Sequence, residues 1–200
     1  GSPPPLNTLL RSIEEADFLI AADGGAKHCA ALDIVPDLLI GDFDSVPSDL
    51  LKELRAKTIL YKFPRDKDFT DLKLALLECE RRKADQIEVF SWADERLDYS
   101  LSAIFSSSMS RIPIEFISHR SSVYILNEHR REFLISDSGS KISIYPIQMP
   151  ISLKTEGLKW NFEWTNQTRP GFSQSNQTVS DAKITLSEGA AFLLIERTHE

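Results

Sequence analysis

Residues 36–45 read Pro36-Asp37-Leu38-Leu39-Ile40-Gly41-Asp42-Phe43-Asp44-Ser45. Asp37 to Ile40 has the character of a short buried strand, and beyond it Asp42 and Asp44 place two carboxylates one residue apart. An open α/β sheet holds its ligand just past the carboxyl ends of its strands, which is where these acids fall. Carboxylates so close repel each other unless a positive charge sits beside them. A magnesium ion carrying phosphates suits the spacing, because it binds through one or two carboxylates plus substrate oxygens and water. Taken alone, the stretch also fits an ordinary Asp-rich surface turn.

The same rhythm surrounds it. Asp17 to Ala22 is an apolar run that stops at Asp23-Gly24-Gly25, where glycine allows backbone to approach a ligand. A short helix is predicted over Ala26 to Leu32, and a second from Pro47 to about Arg55. Thr58 to Phe63 alternates as a strand does, and a helix follows over Asp71 to Lys83 with Thr70 as its N-cap. Gln86 to Ser91, Leu97 to Met109 and Ile114 to Ser118 then read as strand, helix and strand. Strands alternating with helices over residues 1–118 predict a parallel sheet flanked by helices. Beyond residue 119 the pattern changes to short strands, at Ser122–Asn127, Glu132–Ser136, Lys141–Ile147, Ile151–Thr155, Ala182–Leu186 and Ala191–Arg197, separated by Gly, Ser, Asp and Pro. The expected fold class is therefore α/β followed by all-β, with a small antiparallel β-sandwich or barrel over residues 119–200.

Composition narrows the chemistry. The 200 residues carry 23 Lys and Arg against 30 Asp and Glu, a net charge of −7. With no basic run, no nucleic-acid surface is expected. No apolar run approaches the roughly 20 residues that span a membrane, and no signal peptide is visible. Cys29 and Cys79 lie in helical segments without metal-binding spacing, and read as free thiols of a cytoplasmic protein.

Three acidic clusters follow strands of the first domain: Asp42 with Asp44, then Asp66, Asp68 and Asp71, then Asp94 and Glu95 with Arg96 and Asp98. The carboxyl ends of parallel strands share one edge, so the clusters are expected to converge. Thr70 and Asp71 open a helix, where free N–H groups favour anions; Asp71 equally suits a plain helix start. Arg96 beside Asp98 reads as an anion clamp next to a metal ligand or base, or as an exposed ion pair. In the second domain, Thr155-Glu156-Gly157-Leu158-Lys159-Trp160 and Gly171-Phe172-Ser173-Gln174-Ser175-Asn176 combine an aromatic with hydroxyl and amide groups. Such a set suits a flat heterocycle stacked on one face and hydrogen-bonded at its edge, although a Trp in a β domain is also ordinary core.

In order along the chain, ADGGA (22–26), PDLLIGDFDS (36–45), DKDFTD (66–71), RLD (96–98), TEGLKW (155–160) and SQSN (173–176) resemble the thiamine pyrophosphokinase family over nearly the whole length. The resemblance implies transfer of a pyrophosphoryl group from ATP to the hydroxyethyl oxygen of thiamine, yielding thiamine diphosphate and AMP, with magnesium as cofactor. It implies a homodimer in which thiamine lies between one subunit's α/β domain and the other's β domain. Asp42, Asp44, Asp71 and Asp98 are then the metal ligands. Asp71, Asp98 and Arg96 serve the transfer itself, and Asp98 or Asp71 orients or deprotonates the thiamine hydroxyl. Asp23, Gly24, Gly25, Asp68, Thr70 and Arg96 receive ATP and its pyrophosphate, while Trp160, Ser175 and Asn176 hold the pyrimidine ring.

Two features depart from the family pattern. The segment Ser91 to Tyr99 lacks the glycine-rich turn that normally precedes Arg-x-Asp-His, and Tyr99 stands where His is usual. The family's first strand, ahead of its Pro-rich turn, has no counterpart in the residues given, which is expected either of a sheet lacking one strand or of a truncated sequence. Two other functions fit the same residues: a thiamine- or nucleotide-binding protein without transfer, and a metal-dependent nucleotide phosphohydrolase.

Overall fold

Leu38–Gly41 forms strand β2, in which Leu38, Leu39 and Ile40 are 0%, 0% and 1% exposed. Strands β1 (Ile20–Ala22) and β3 (Ile59–Lys62) flank it, both parallel to it. Parallel neighbours cannot be joined by a hairpin, so each link carries a helix: α2 (Gly25–Ala31) after β1, and α3 (Ser48–Leu54) after β2. Helix α1 (Leu6–Glu15) precedes this sheet and α4 (Asp71–Arg82) follows it. A strand covered on both sides is apolar at successive positions. Leu39 accordingly packs with Ala21, Ala26, Phe43, Val46 and Leu54, while Leu38 and Ile40 pack with Leu74 and Ala75 of α4. Each of the three buried side chains in β2 contributes roughly 1.5–3 kcal/mol by leaving water.

This computed structural model describes residues 4–92 and 97–196, which group into two compact units, residues 7–83 and residues 84–196 with 4–6. The second unit contains β4 (Ile87–Phe90), α5 (Leu97–Ser107), β5 (Ile114–Ile117), β6 (Ser121–Leu126), β7 (Glu132–Ile135), β8 (Lys141–Leu158), β9 (Glu163–Gln167) and β10 (Ser173–Glu196). β4 and β5 are parallel, and every pairing from β6 onward is antiparallel. Its sheet runs β4-β5-β6-β10-β8-β9, with β7 paired to β10.

The predicted alternation of strand and helix, and the change to antiparallel strands, are both present. The parallel strands do not form one sheet, however. β1, β2 and β3 make a three-stranded sheet, while β4 and β5 join the seven-stranded one. Among the described residues the β strands do not close into a barrel. Two pairs of predicted short strands are each part of one long strand, β8 and β10, and β9 was not foreseen. The long strands bend: residues 141–144 of β8 pair with both the start and the end of β10, and residues 152–158 pair with its middle. Register shifts at the bends break the alternation that sequence patterning relies on. Ile142, Ile144, Leu153, Ile184, Leu186 and Leu193 fill the resulting core. The compact units divide between Lys83 and Ala84, whereas the switch from parallel to antiparallel pairing comes between β5 and β6.

Candidate active site

Parallel pairing of Ala22 with Ile40 brings the ends of β1 and β2 side by side. Asp23 follows the first strand and Asp42 the second, and the Asp23 N–H donates to the Ile40 carbonyl at 2.8 Å. Asp44 completes the group. The carboxylates of Asp23, Asp42 and Asp44 each offer an oxygen within 4.8 Å of the others. Phe43, between the two acids, has a φ of 68° and is buried, so its ring anchors the turn in the core while both carboxylates stay accessible.

Asp71 reaches the same place from the start of α4. Gly41 makes the approach possible: its φ is 144°, and a Cβ there would lie 3.2 Å from Asp23 Cβ and 3.3 Å from Asp71 Cγ and Oδ1. Thr70 caps the helix, its Oγ1 accepting the Lys73 N–H at 3.2 Å. Lys67 Nζ lies 3.1 Å from Asp71 Oδ1, close enough for an ion pair but not aligned as a hydrogen bond. Asp23 Oδ1 is buried without a hydrogen-bond donor.

The electrostatics separate two of these acids. The Asp44 N–H, donating to Asp42 Oδ1 at 3.0 Å, holds the Asp42 carboxyl below its ordinary range, and Lys67 assists against partial burial. Burial pushes the Asp71 carboxyl upward, and the charges of Asp23 and Asp42 add to the rise while Lys67 opposes it. Asp44 is exposed and receives Ser45 Oγ at 3.2 Å, with Arg65 Nε 3.6 Å away. Two nearby carboxyls with pKa values driven apart form the pattern that divides proton transfer from charge binding.

The remaining expected residues are placed by their own elements. Asp68 is exposed on the turn before Thr70, and Gly24 and Gly25 form the N-cap and first residue of α2. Asp98 lies exposed in the first turn of α5, in the other unit. Arg96, with Asp94 and Glu95, lies outside the described residues. The carboxylate of Asp23, a residue the resemblance assigns to ATP, stands with those of Asp42 and Asp44 in the group that could hold a cation. Its signal was available in the sequence, because acids after adjacent parallel strands must be neighbours. Lys67, the cation within DKDFTD, was overlooked altogether.

In the second unit Trp160 is 57% exposed, which removes it from the core. Lys159 Nζ sits 4.6 Å from its ring centroid. Ser175 is exposed with a φ of 54°, and its N–H donates to Ser143 Oγ at 3.0 Å. Asn176 is buried and bonded to Trp160, Ser173 and Gln177. Thr155 is likewise structural, since its hydroxyl bonds the backbone of Phe162. Gly157 has a φ of 76°, and a Cβ there would meet the Asp181 carbonyl oxygen at 2.2 Å, so this turn demands glycine.

Comparison with known proteins gives two family matches in order along the chain. Residues 9–114 match the family model described as "Thiamin pyrophosphokinase, catalytic domain", and residues 126–191 match "Thiamin pyrophosphokinase, vitamin B1 binding domain". A crystal structure of a thiamin pyrophosphokinase family protein from Enterococcus faecalis superposes with a TM-score of 0.81 at 18% identity, covering 98% of this chain and 94% of that one. Thiamin pyrophosphokinase from Candida albicans gives a TM-score of 0.76 at 16% identity, covering 95% and 85%. The yeast enzyme gives 0.75 at 16% identity, covering 98% and 83%. With catalytic and vitamin-binding models matched in order on one chain, this protein belongs to the thiamin pyrophosphokinase family.

Proposed function

We propose that the chain transfers the pyrophosphoryl group of ATP to the hydroxyethyl oxygen of thiamine, giving thiamine diphosphate and AMP. The convergence of Asp23, Asp42 and Asp44 at the carboxyl edge of the three-stranded sheet carries this reading. The donors are all hard oxygens, as magnesium prefers, and the buried Asp23 Oδ1 without a hydrogen-bond donor is the kind of atom a cation satisfies. Asp23, Asp42 and Asp44 would hold the ion, with Asp71 beside them. A bound magnesium ion neutralises charge on the phosphate oxygens.

In the transfer, the thiamine hydroxyl oxygen forms a bond to the β-phosphorus as the bond from that phosphorus to the α,β-bridging oxygen breaks. AMP leaves with the bridging oxygen, and the hydroxyl proton passes to a base. Asp71 is the base we assign, because the start of α4 brings its carboxylate to the end of β2, beside the acids that would hold the ion. Such chemistry depends on placement and charge more than on covalent help. Asp68, Thr70, Gly24 and Gly25 border the phosphates in this proposal, Arg96 and Asp98 assist the pyrophosphate, and Trp160 and Ser175 take the pyrimidine. The free Cys29 and Cys79 support a reducing, cytoplasmic setting, and no described helix is long and apolar enough to cross a membrane. The proposal includes a homodimer, which sedimentation equilibrium tests.

The deciding assay incubates the chain with ATP and magnesium, with and without thiamine, and measures AMP and thiamine diphosphate. Thiamine-dependent AMP, lost in Asp44→Ala, is expected. Binding without AMP indicates a carrier, and phosphate release independent of thiamine indicates a hydrolase.

A further inference from the structure

Asn176 is 1% exposed, and its carboxamide is occupied inside the protein. Its Oδ1 accepts the N–H groups of Trp160 at 3.2 Å and Gln177 at 2.9 Å. Its Nδ2 donates to the Trp160 carbonyl at 2.8 Å and to Ser173 Oγ at 3.2 Å. A carboxamide has two donor hydrogens and two acceptor positions, so these four bonds leave none for a ligand.

One side chain thus takes both the N–H and the C=O of Trp160, the two-point pairing that a residue on a neighbouring strand provides. The Lys159 N–H donates to the Gln177 carbonyl at 2.8 Å, and Asn161 Oδ1 accepts the Leu158 N–H at 3.0 Å, closing the same turn. The backbone of Trp160 is therefore fixed while its indole stands 57% exposed.

We propose that Asn176 is a positioning residue for Trp160, acting on thiamine through the indole it holds and not by touching the ring itself. This rests on the reading of Trp160 as the thiamine platform. Only a carboxamide of this length does the work. Aspartate keeps the acceptors but turns a carboxylate toward the Trp160 carbonyl, serine cannot span both groups, and glutamine adds a methylene where no space is exposed.

The test compares wild type, Asn176→Asp, Trp160→Ala and the double variant, with Trp92 and Trp164 replaced by Phe in the indole-containing forms so that Trp160 alone fluoresces. Asn176→Ser serves if the Asp variant does not fold. Loss of the bridge is expected to raise KM for thiamine about tenfold and leave kcat within about twofold, the mark of lost ground-state binding. Trp160 anisotropy should fall and its iodide quenching rise. Adding the Asn176 change to Trp160→Ala should cost no further affinity, because residues acting through one contact are non-additive. Additive losses with unaltered fluorescence show direct ligand contact and overturn the proposal, as does an unchanged KM. If wild type binds no thiamine, the functional reading fails and takes the ligand half of this inference with it. The fluorescence comparison then still decides whether Asn176 holds the indole.

Discussion

Gly41 and Asp71 approach so closely that a methyl group on the glycine would meet the Asp71 carboxylate at 3.3 Å. Gly41 also has a φ of 144°, which side-chain-bearing residues rarely adopt. Gly41→Ala therefore strains the backbone and pushes on Asp71 and Asp23 together. We expect a loss of about 1–3 kcal/mol in urea unfolding and a fall in thiamine-dependent AMP release of about a hundredfold, as misplacement near 1 Å produces. Wild-type turnover in this variant would show that Asp71 does not need its position against Gly41.

Asp23 supplies the second test. Its carboxylate stands with Asp42 and Asp44, so Asp23→Ala should weaken Mn2+ binding, followed by electron paramagnetic resonance, about as much as Asp42→Ala. An affinity unaltered by Asp23→Ala but reduced by Asp42→Ala would confine the cation to the turn after β2.

These two residues show how far the sequence was legible. An unbroken apolar run ending in acid gave β2 and its carboxyl edge, because burial on both faces leaves a period-free signature. Asp42 and Asp44 followed from that directly. Asp23 needed one further step, the parallel pairing of β1 with β2. Lys67 was hidden by its surroundings, since a lysine between aspartates looks like solvated charge until its distance to Asp71 is known. In the second unit, TEGLKW and SQSN were visible as unusual, but their division of labour was not. Whether Asn176 faces ligand or backbone depends on how β8 and β10 bend past each other, and register shifts leave no periodic trace.

Glu78 offers a stability test away from the acidic cluster. It is buried, and Arg81 Nη2 and Arg82 Nε each lie 2.7 Å from its Oε1. Hydrogen bonds from Arg81 are the main reason its carboxyl lies below the ordinary value of 4.5, with burial opposing. A depressed folded pKa contributes stability above the unfolded pKa, and that stability is lost as pH falls through the folded value. Glu78→Gln should cost about 1–2 kcal/mol at pH 7, near the low end for charged hydrogen bonds because Arg81 is largely exposed. The deficit should shrink below pH 4.5, and a deficit equally large at pH 3 and pH 7 would assign the effect to packing.

Asp71 reverses the sign. Burial raises its pKa above the ordinary 3.8, so its ionised form is disfavoured in the fold. Below the unfolded pKa both states are protonated and the favourable balance is complete; as pH rises through the folded pKa that balance is lost. Asp71→Asn resembles the protonated form, so in EDTA it should match wild type near pH 3.5 and exceed it at pH 8, by a few degrees in Tm. Lys67 loses its ion pair in the variant, which limits the gain. Magnesium should invert the order, because a bound cation stabilises the carboxylate and anything that binds only the folded state raises Tm. A variant less stable than wild type at pH 8 in EDTA would mean that Lys67 outweighs burial. Asp71 would then be a salt-bridged anion, unsuited to taking the proton from thiamine.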